Sequence, residues 1–209
     1  MKFLQFQSNK PTYQTSSVHK VRMSVNRIHI MGAPGAGITT LGKSLASALD
    51  FMHFDADDYH WFTTDPEPYR RKRNPDHRRK LLSEDLQKEK NWILTGSICD
   101  WGTIFAPQFQ AIIFCTAPTT VRLERIKERE LARYGDQRLT NGGDLQIVFE
   151  KFVDWAAAYE TNMERSRSLI KELEWVDQFC NCPVLQLNTA SNHENYTDQV
   201  QSWLNKIAI

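Results

Sequence analysis

A chain of 209 residues, 41% hydrophobic and 24% charged, has the size and make-up of one soluble α/β domain with a sizeable core. A formal charge of +1 leaves no global field for nucleic acid or a membrane surface, and no apolar run approaches the ~18 residues of a bilayer span. Four cysteines (Cys99, Cys115, Cys180 and Cys182) make no disulfide framework in a chain this long, and reduced, structural thiols suit the cytoplasm.

Residues 1–23 carry Lys2, Lys10, Lys20 and Arg22, no acidic residue, and many Gln, Ser and Thr. With no apolar core of signal-peptide length, they read as a disordered polar, basic tail ahead of one domain at 24–209. The first expected strand, Arg27–Met31, runs into Gly32-Ala33-Pro34-Gly35-Ala36-Gly37-Ile38-Thr39-Thr40. This is a phosphate-binding loop with isoleucine where lysine is expected. A second frame, Gly37 to Ser44, satisfies G-x-x-x-x-G-K-[ST] with Lys43. Its lead-in would be a proline and two glycines, a poor central strand, and it would consume the first turn of a good amphipathic helix. The first frame is therefore the loop. Its glycines let the backbone wrap phosphates, amides and a helix N-terminus supply positive partial charge, and Thr39 holds the hydroxyl that ligates Mg²⁺.

The second strand, His53–Asp55, leads into Asp55-Ala-Asp57-Asp58. Alternation along an extended chain puts Asp55 and Asp57 on one side, where two carboxylates hold hydrated Mg²⁺ or take a proton from an attacking hydroxyl; a solvated turn capped by Asp57 or Asp58 is the plainer alternative. Lys72, Arg73 and Arg78 follow in a basic segment that reads as a grip on an anionic acceptor. A solvated helix start explains much of the same charge, and an RNA-binding patch is the lesser alternative. A helix is expected at about 76–88, then a strand at Trp92–Thr95. Thr95 stands where many ATPases place a metal-binding aspartate, and Gly96 and Ser97 let substrate approach the backbone.

A fourth strand, Ala111–Cys115, precedes a helix at about 119–133 whose Arg122, Arg125 and Arg129 share one face, with Glu124 and Glu128 as plain partners. Arg133 and Arg138 lie in a polar segment suited to closing over a nucleotide. The next helix carries Val148, Phe149, Phe152, Trp155 and Tyr159 as its inward stripe, and another spans about 162–179. After a fifth strand at Pro183–Leu187, the last helix starts at Ser191 with Glu194 at capping-box spacing. Alternating strands and helices predict a parallel sheet covered on both faces, with ligands at the carboxyl ends of its strands.

"GAPGAGITTLGKSLASAL", "FDADDYHW", "RLERIKERE" and the strand rhythm resemble the adenylate-kinase-like branch of P-loop kinases over about residues 26–205. More narrowly the chain is similar to a bacterial group of adenylate-kinase-like ATPases whose loop often lacks the lysine. The resemblance implies a three-layer P-loop NTPase fold, a five-stranded parallel sheet in the order 2-3-1-4-5 with helices on both faces, an acceptor segment at about 59–90 and a lid at about 129–144. It implies ATP and Mg²⁺ as cofactors and a small anionic acceptor as partner, with no membrane and no nucleic acid. Asp55 and Asp57 match the paired aspartates for metal and acceptor, and Arg125 and Arg129 match an R-I-x-x-R pair that touches the nucleotide. With Arg138 they would neutralise the transferring phosphoryl group. A nucleotide-binding regulator without turnover is the rival, favoured by Ile38 and Thr95.

Overall fold

The computed structural model describes residues 24–62, 64, 71–162, 167–191 and 195–208; the expected amino-terminal tail lies outside them. Five parallel strands form one sheet in the order β2-β3-β1-β4-β5: β1 Arg27–Gly32, β2 Met52–Asp55, β3 Trp92–Thr95, β4 Ala111–Thr116 and β5 Val184–Asn188. The described helices are α1 Ile38–Leu49, α2 Ala56–His60, α3 Pro75–Leu86, α4 Thr119–Tyr134, α5 Asp136–Leu139, α6 Gln146–Ala157, α7 Leu169–Phe179 and α8 Tyr196–Ile207, with a 3₁₀ turn at Thr103–Gln108. The expected sheet order and strand positions hold.

The three layers follow from period-two alternation in strands buried on both faces. On one face, Ile28 and Ile30 of β1 join Ile93, Ala111 and Ile113 beneath α1 and α8. On the other, Met31 joins Leu94, Ile112 and Phe114 beneath α3 and α7. β1 is central, with Ile30 opposite Thr95 on β3 and Gly32 opposite Cys115 on β4. The strand that feeds the loop is thus held on both edges.

Helix ends depart from expectation where tertiary structure decides. The chain turns helical at Ala56, so Asp57 lies in the first turn of α2 rather than on an extended run. Asp55 is the cap, accepting from the Asp57 amide at 3.1 Å. α7 starts at Leu169, not near 162, because the Ser168 hydroxyl caps it. α8 starts at Tyr196 and is capped by Asn195, whose side chain accepts from the Asp198 amide at 3.2 Å. Ser191 is therefore not its cap, and Glu194 falls outside the described residues. On α6, Val148 is 45% exposed, because the helix packs on α4 at the domain's rim and turns Phe152 and Trp155 inward. All four cysteines are free, and no described helix is long and apolar enough to cross a membrane.

His29, between Ile28 and Ile30, is wholly buried. Nδ1 donates to the Leu94 carbonyl at 3.0 Å, the ring stacks on Phe109 at 4.6 Å, and buried Nε2 has no partner. Burial pushes its pKa down from 6.5 to about 4, the Leu94 bond opposing this. Between those values the unfolded chain binds the proton and the folded chain does not, so stability falls as the pH drops through that window. Urea unfolding should lose about 2.5 kcal/mol through this residue between about pH 7 and about pH 4.5, and His29→Leu should lose that share of the slope.

Candidate functional site

β1 ends at Gly32 and α1 begins at Ile38, so the loop is Gly32–Gly37, in the first frame. Lys43 lies exposed inside α1. Gly32 and Gly35 take φ of +134° and +81°, and a Cβ would collide with the Cys115 and Arg122 carbonyls respectively. Only glycine fits either place.

Every second carbonyl of this loop is held from outside. Gly32 O accepts from Arg167 Nη2 at 2.9 Å, Pro34 O from Arg122 Nη1 at 3.0 Å, and Ala36 O from the Thr189 hydroxyl at 2.8 Å. The amides of Gly35, Gly37, Ile38, Thr39 and Thr40 have no partner among the described residues. No side chain caps α1, whose cap residue is Gly37 at φ 77°. An uncapped helix start with free amides on a glycine loop is a ready anion site. Ile38 brings it no charge: 8% exposed, it packs in the apolar cluster that also holds Ala33 and Ala36 of the loop and Val200 and Leu204 of α8.

Beside the loop, the Thr39 hydroxyl donates to Asp55 Oδ2 at 2.9 Å. Asp57 stands in the next turn. Its carboxyl is pushed above the usual aspartate range by shielding from solvent and then by Asp55, with Arg167 opposing. Thr95, level with Asp55 across the β2–β3 ladder, is buried. Its hydroxyl lies 3.0 Å from His53 Nε2 and donates to Phe54 O, and its methyl meets Gly42 of α1. It is a packing residue, and the carboxylate at the loop comes from the neighbouring strand. Gly96 follows at φ +95°, its Cα flank against Ala56 and the Asp55 carboxylate, with half-buried Ser97 next to it.

The three arginines of α4 part company. Arg122 is wholly buried, its guanidinium spent on Ala117 O, Pro34 O, Ala156 O and both Glu160 oxygens at 2.6 Å. Arg125 and Arg129 instead line a cleft of about 700 Å³ with Gly37, Thr40, Thr189 and Tyr196. Arg125 donates to Thr189 O at 2.9 Å, and Arg129 pairs with Glu130 at 2.7 Å. Arg138 pairs with Asp144 at 2.7 Å, on a segment folded as the one-turn α5 with Leu139 buried. In the basic segment, Lys72 lies over the Trp61 ring at 5.4 Å. Arg73 donates to the carbonyls of Asp58, Tyr59 and Trp61, and buried Arg78 donates to Arg73 O at 2.8 Å. These two arginines hold the chain that leaves α2.

Sequence reasoning missed Arg167, Glu172 and Thr189, and read Tyr159 only as part of a helix's inward stripe. Arg167 Nε donates to wholly buried Glu172 at 3.0 Å, whose other oxygen takes the Tyr159 hydroxyl at 2.5 Å. The only local signal was an arginine directly before the Ser168 cap.

A family model described as AAA domain matches residues 28–148. In Bacillus subtilis (strain 168), uncharacterized protein YqaC is 35% identical over 177 residues, spanning 85% of this chain and 96% of its own. Among solved structures, shikimate kinase from Bacteroides thetaiotaomicron is similar with a TM-score of 0.51 at 21% identity, covering 86% of this chain and 98% of its own. A gluconokinase from Sinorhizobium meliloti 1021 gives 0.46 at 16%, covering 90% and 95%. The likeness to the shikimate kinase is one of fold.

The divided arginines give a stability test. Arg122→Met strips a wholly buried charge from six acceptor atoms, the Thr119 hydroxyl among them, and should cost about 3 kcal/mol or more in urea unfolding. Arg129→Ala removes a half-exposed pair and should cost no more than about 1 kcal/mol. Equal losses would show that Arg122 is not the loop's brace.

Proposed function

We propose, since this chain belongs to the AAA domain family and shares the fold of a shikimate kinase, that it is an adenylate-kinase-like, ATP- and Mg²⁺-dependent phosphotransferase acting on a small anionic acceptor. The observation that carries this is the Thr39–Asp55 pair at 2.9 Å beside an uncapped helix start. There a hydroxyl and a carboxylate meet the place where free amides would hold phosphates.

The donors suit the cation. Mg²⁺ takes oxygen ligands and is usually held by one or two carboxylates together with waters and substrate phosphates. Among the described residues no group of three or more His, Cys, Asp or Glu forms an all-protein cage. Thr39 and Asp55, with Asp57 close by, would hold it, and it would neutralise phosphate charge. Phosphoryl transfer asks the protein mainly for positioning and charge. The loop amides would take the β-phosphate. Arg125, Arg129 and Arg138 would leave Thr189 O, Glu130 and Asp144 for the transferring group; the exposed Arg138–Asp144 pair exchanges partners at little cost. Asp57, with its raised pKa, is suited to take the proton of an acceptor hydroxyl. Gly96 and Ser97 would face the acceptor, and Lys72, Arg73 and Arg78 would frame its side of the site.

One observation favours a second reading, a nucleotide-binding regulator without turnover. Ile38 is in the core and Thr95 is a packing residue, so two charges that commonly serve turnover are absent from their usual places.

Both readings require ATP binding; only the first requires transfer. A screen of γ-labelled ATP against nucleotides, sugars and hydroxy acids decides between them. In calorimetry, Asp55→Asn should remove most of the Mg²⁺ dependence of ATP binding while keeping the helix cap, because asparagine caps as well as aspartate. Lys43→Ala should bind ATP as wild type does. An unchanged Mg²⁺ titration for Asp55→Asn would take the metal away from this residue.

A further inference from the structure

We propose that Arg167 supplies the cation that the loop lacks at position 38. The inference rests on the nucleotide-binding reading and names the residue that makes a lysine-less loop workable.

Ile38 cannot carry the charge. Arg167 reaches the loop out of the segment before α7. Its Nη2 donates to Gly32 O, the first carbonyl of the loop, at 2.9 Å. Arg167 and Asp57 interact electrostatically, so the guanidinium bonded to the loop's first carbonyl is also within range of the aspartate side of the site. Its side chain is 23% exposed, and the head lies 5.6 Å from the Trp155 ring centroid.

The head is fixed rather than mobile. Glu172 takes Nε at 3.0 Å and is itself held by the Tyr159 hydroxyl. With Nε and Nη2 engaged, Nη1 has no partner among the described residues. A guanidinium has five donors in a rigid fork that matches phosphate oxygens, so the remaining edge can bind a phosphate without releasing its anchors. Glu172 offsets part of the charge. It also fixes the arginine, so little ordering remains to be done when the nucleotide arrives.

The inferred role is testable because two positions would serve one function. Arg167→Met should weaken binding of ATP with Mg²⁺ about tenfold or more in calorimetry, the usual scale for a lost charge-assisted hydrogen bond. Ile38→Lys introduced into that variant should recover most of the loss, whereas the same change in wild type should yield a smaller gain. Since Arg167→Met leaves Glu172 buried without its partner, Arg167→Met/Glu172→Gln is the companion variant, with melting followed throughout. It should show the same loss and the same recovery. Wild-type affinity retained in a folded Arg167 variant, or a loss that Ile38→Lys does not recover, would overturn the assignment while leaving the nucleotide-binding reading intact. Wild type that binds no ATP would overturn that reading itself.

Discussion

The site depends on the outward tethering of alternate loop carbonyls. Each buried carbonyl needs a donor, and within the loop the Ala36 amide supplies one, to Ala33 O at 3.1 Å, leaving Gly32, Pro34 and Ala36 to be served from elsewhere. Arg167, Arg122 and Thr189 serve them from three different places: the segment before α7, the first turn of α4, and the end of β5. With the carbonyls held outward, the amides of Gly35 and Gly37 and the first turn of α1 are left for an anion. The cradle is therefore set by the packing of the carboxyl-terminal half of the chain. Its cost is visible too: Arg122 and Glu172 are buried charges, tolerated because each is hydrogen-bonded on several sides.

Charge around the cradle is distributed in an unusual way. The helix start carries an apolar residue that strengthens the core between α1 and α8. The strand beside the loop ends in a threonine whose methyl packs where a side chain on Gly42 of α1 would collide with it. The carboxylate is displaced one strand outward, to Asp55, and still reaches Thr39. Positive charge comes from arginines that approach from α4 and from the segment before α7. Arginine's longer reach and fork geometry suit such an indirect approach better than a point charge on the helix itself.

What was legible in the sequence was short-range. Strand runs, the glycine loop and the α1 stripe are each contained within about twenty residues, and the resemblance supplied the order 2-3-1-4-5. The loop's frame was legible as well, because a proline and two glycines cannot be a central strand. The braces were not: Arg122 to Pro34, Arg167 to Gly32 and Thr189 to Ala36 join residues 88, 135 and 153 positions apart. Periodicity placed Arg122 in a row with Arg125 and Arg129. Only the fold shows that one row serves two purposes, the first arginine turned into the loop's underside and the others toward the cleft. The cap of α8 was misjudged for a related reason. Ser191 and Glu194 have the right spacing, but Ser191 O accepts the Tyr196 hydroxyl at 2.6 Å and the capping side chain is that of Asn195.

The account's central claim is that this loop presents a preformed set of amides to phosphate without a lysine. Hydrogen exchange of the backbone amides, resolved by residue and measured with and without ATP and Mg²⁺, tests it most directly. Protection should rise at Gly35, Gly37, Ile38, Thr39 and Thr40, and change little at Val200 and Leu204 in the distant half of α8. Exchange at those five amides that stays the same at saturating ATP would contradict the account.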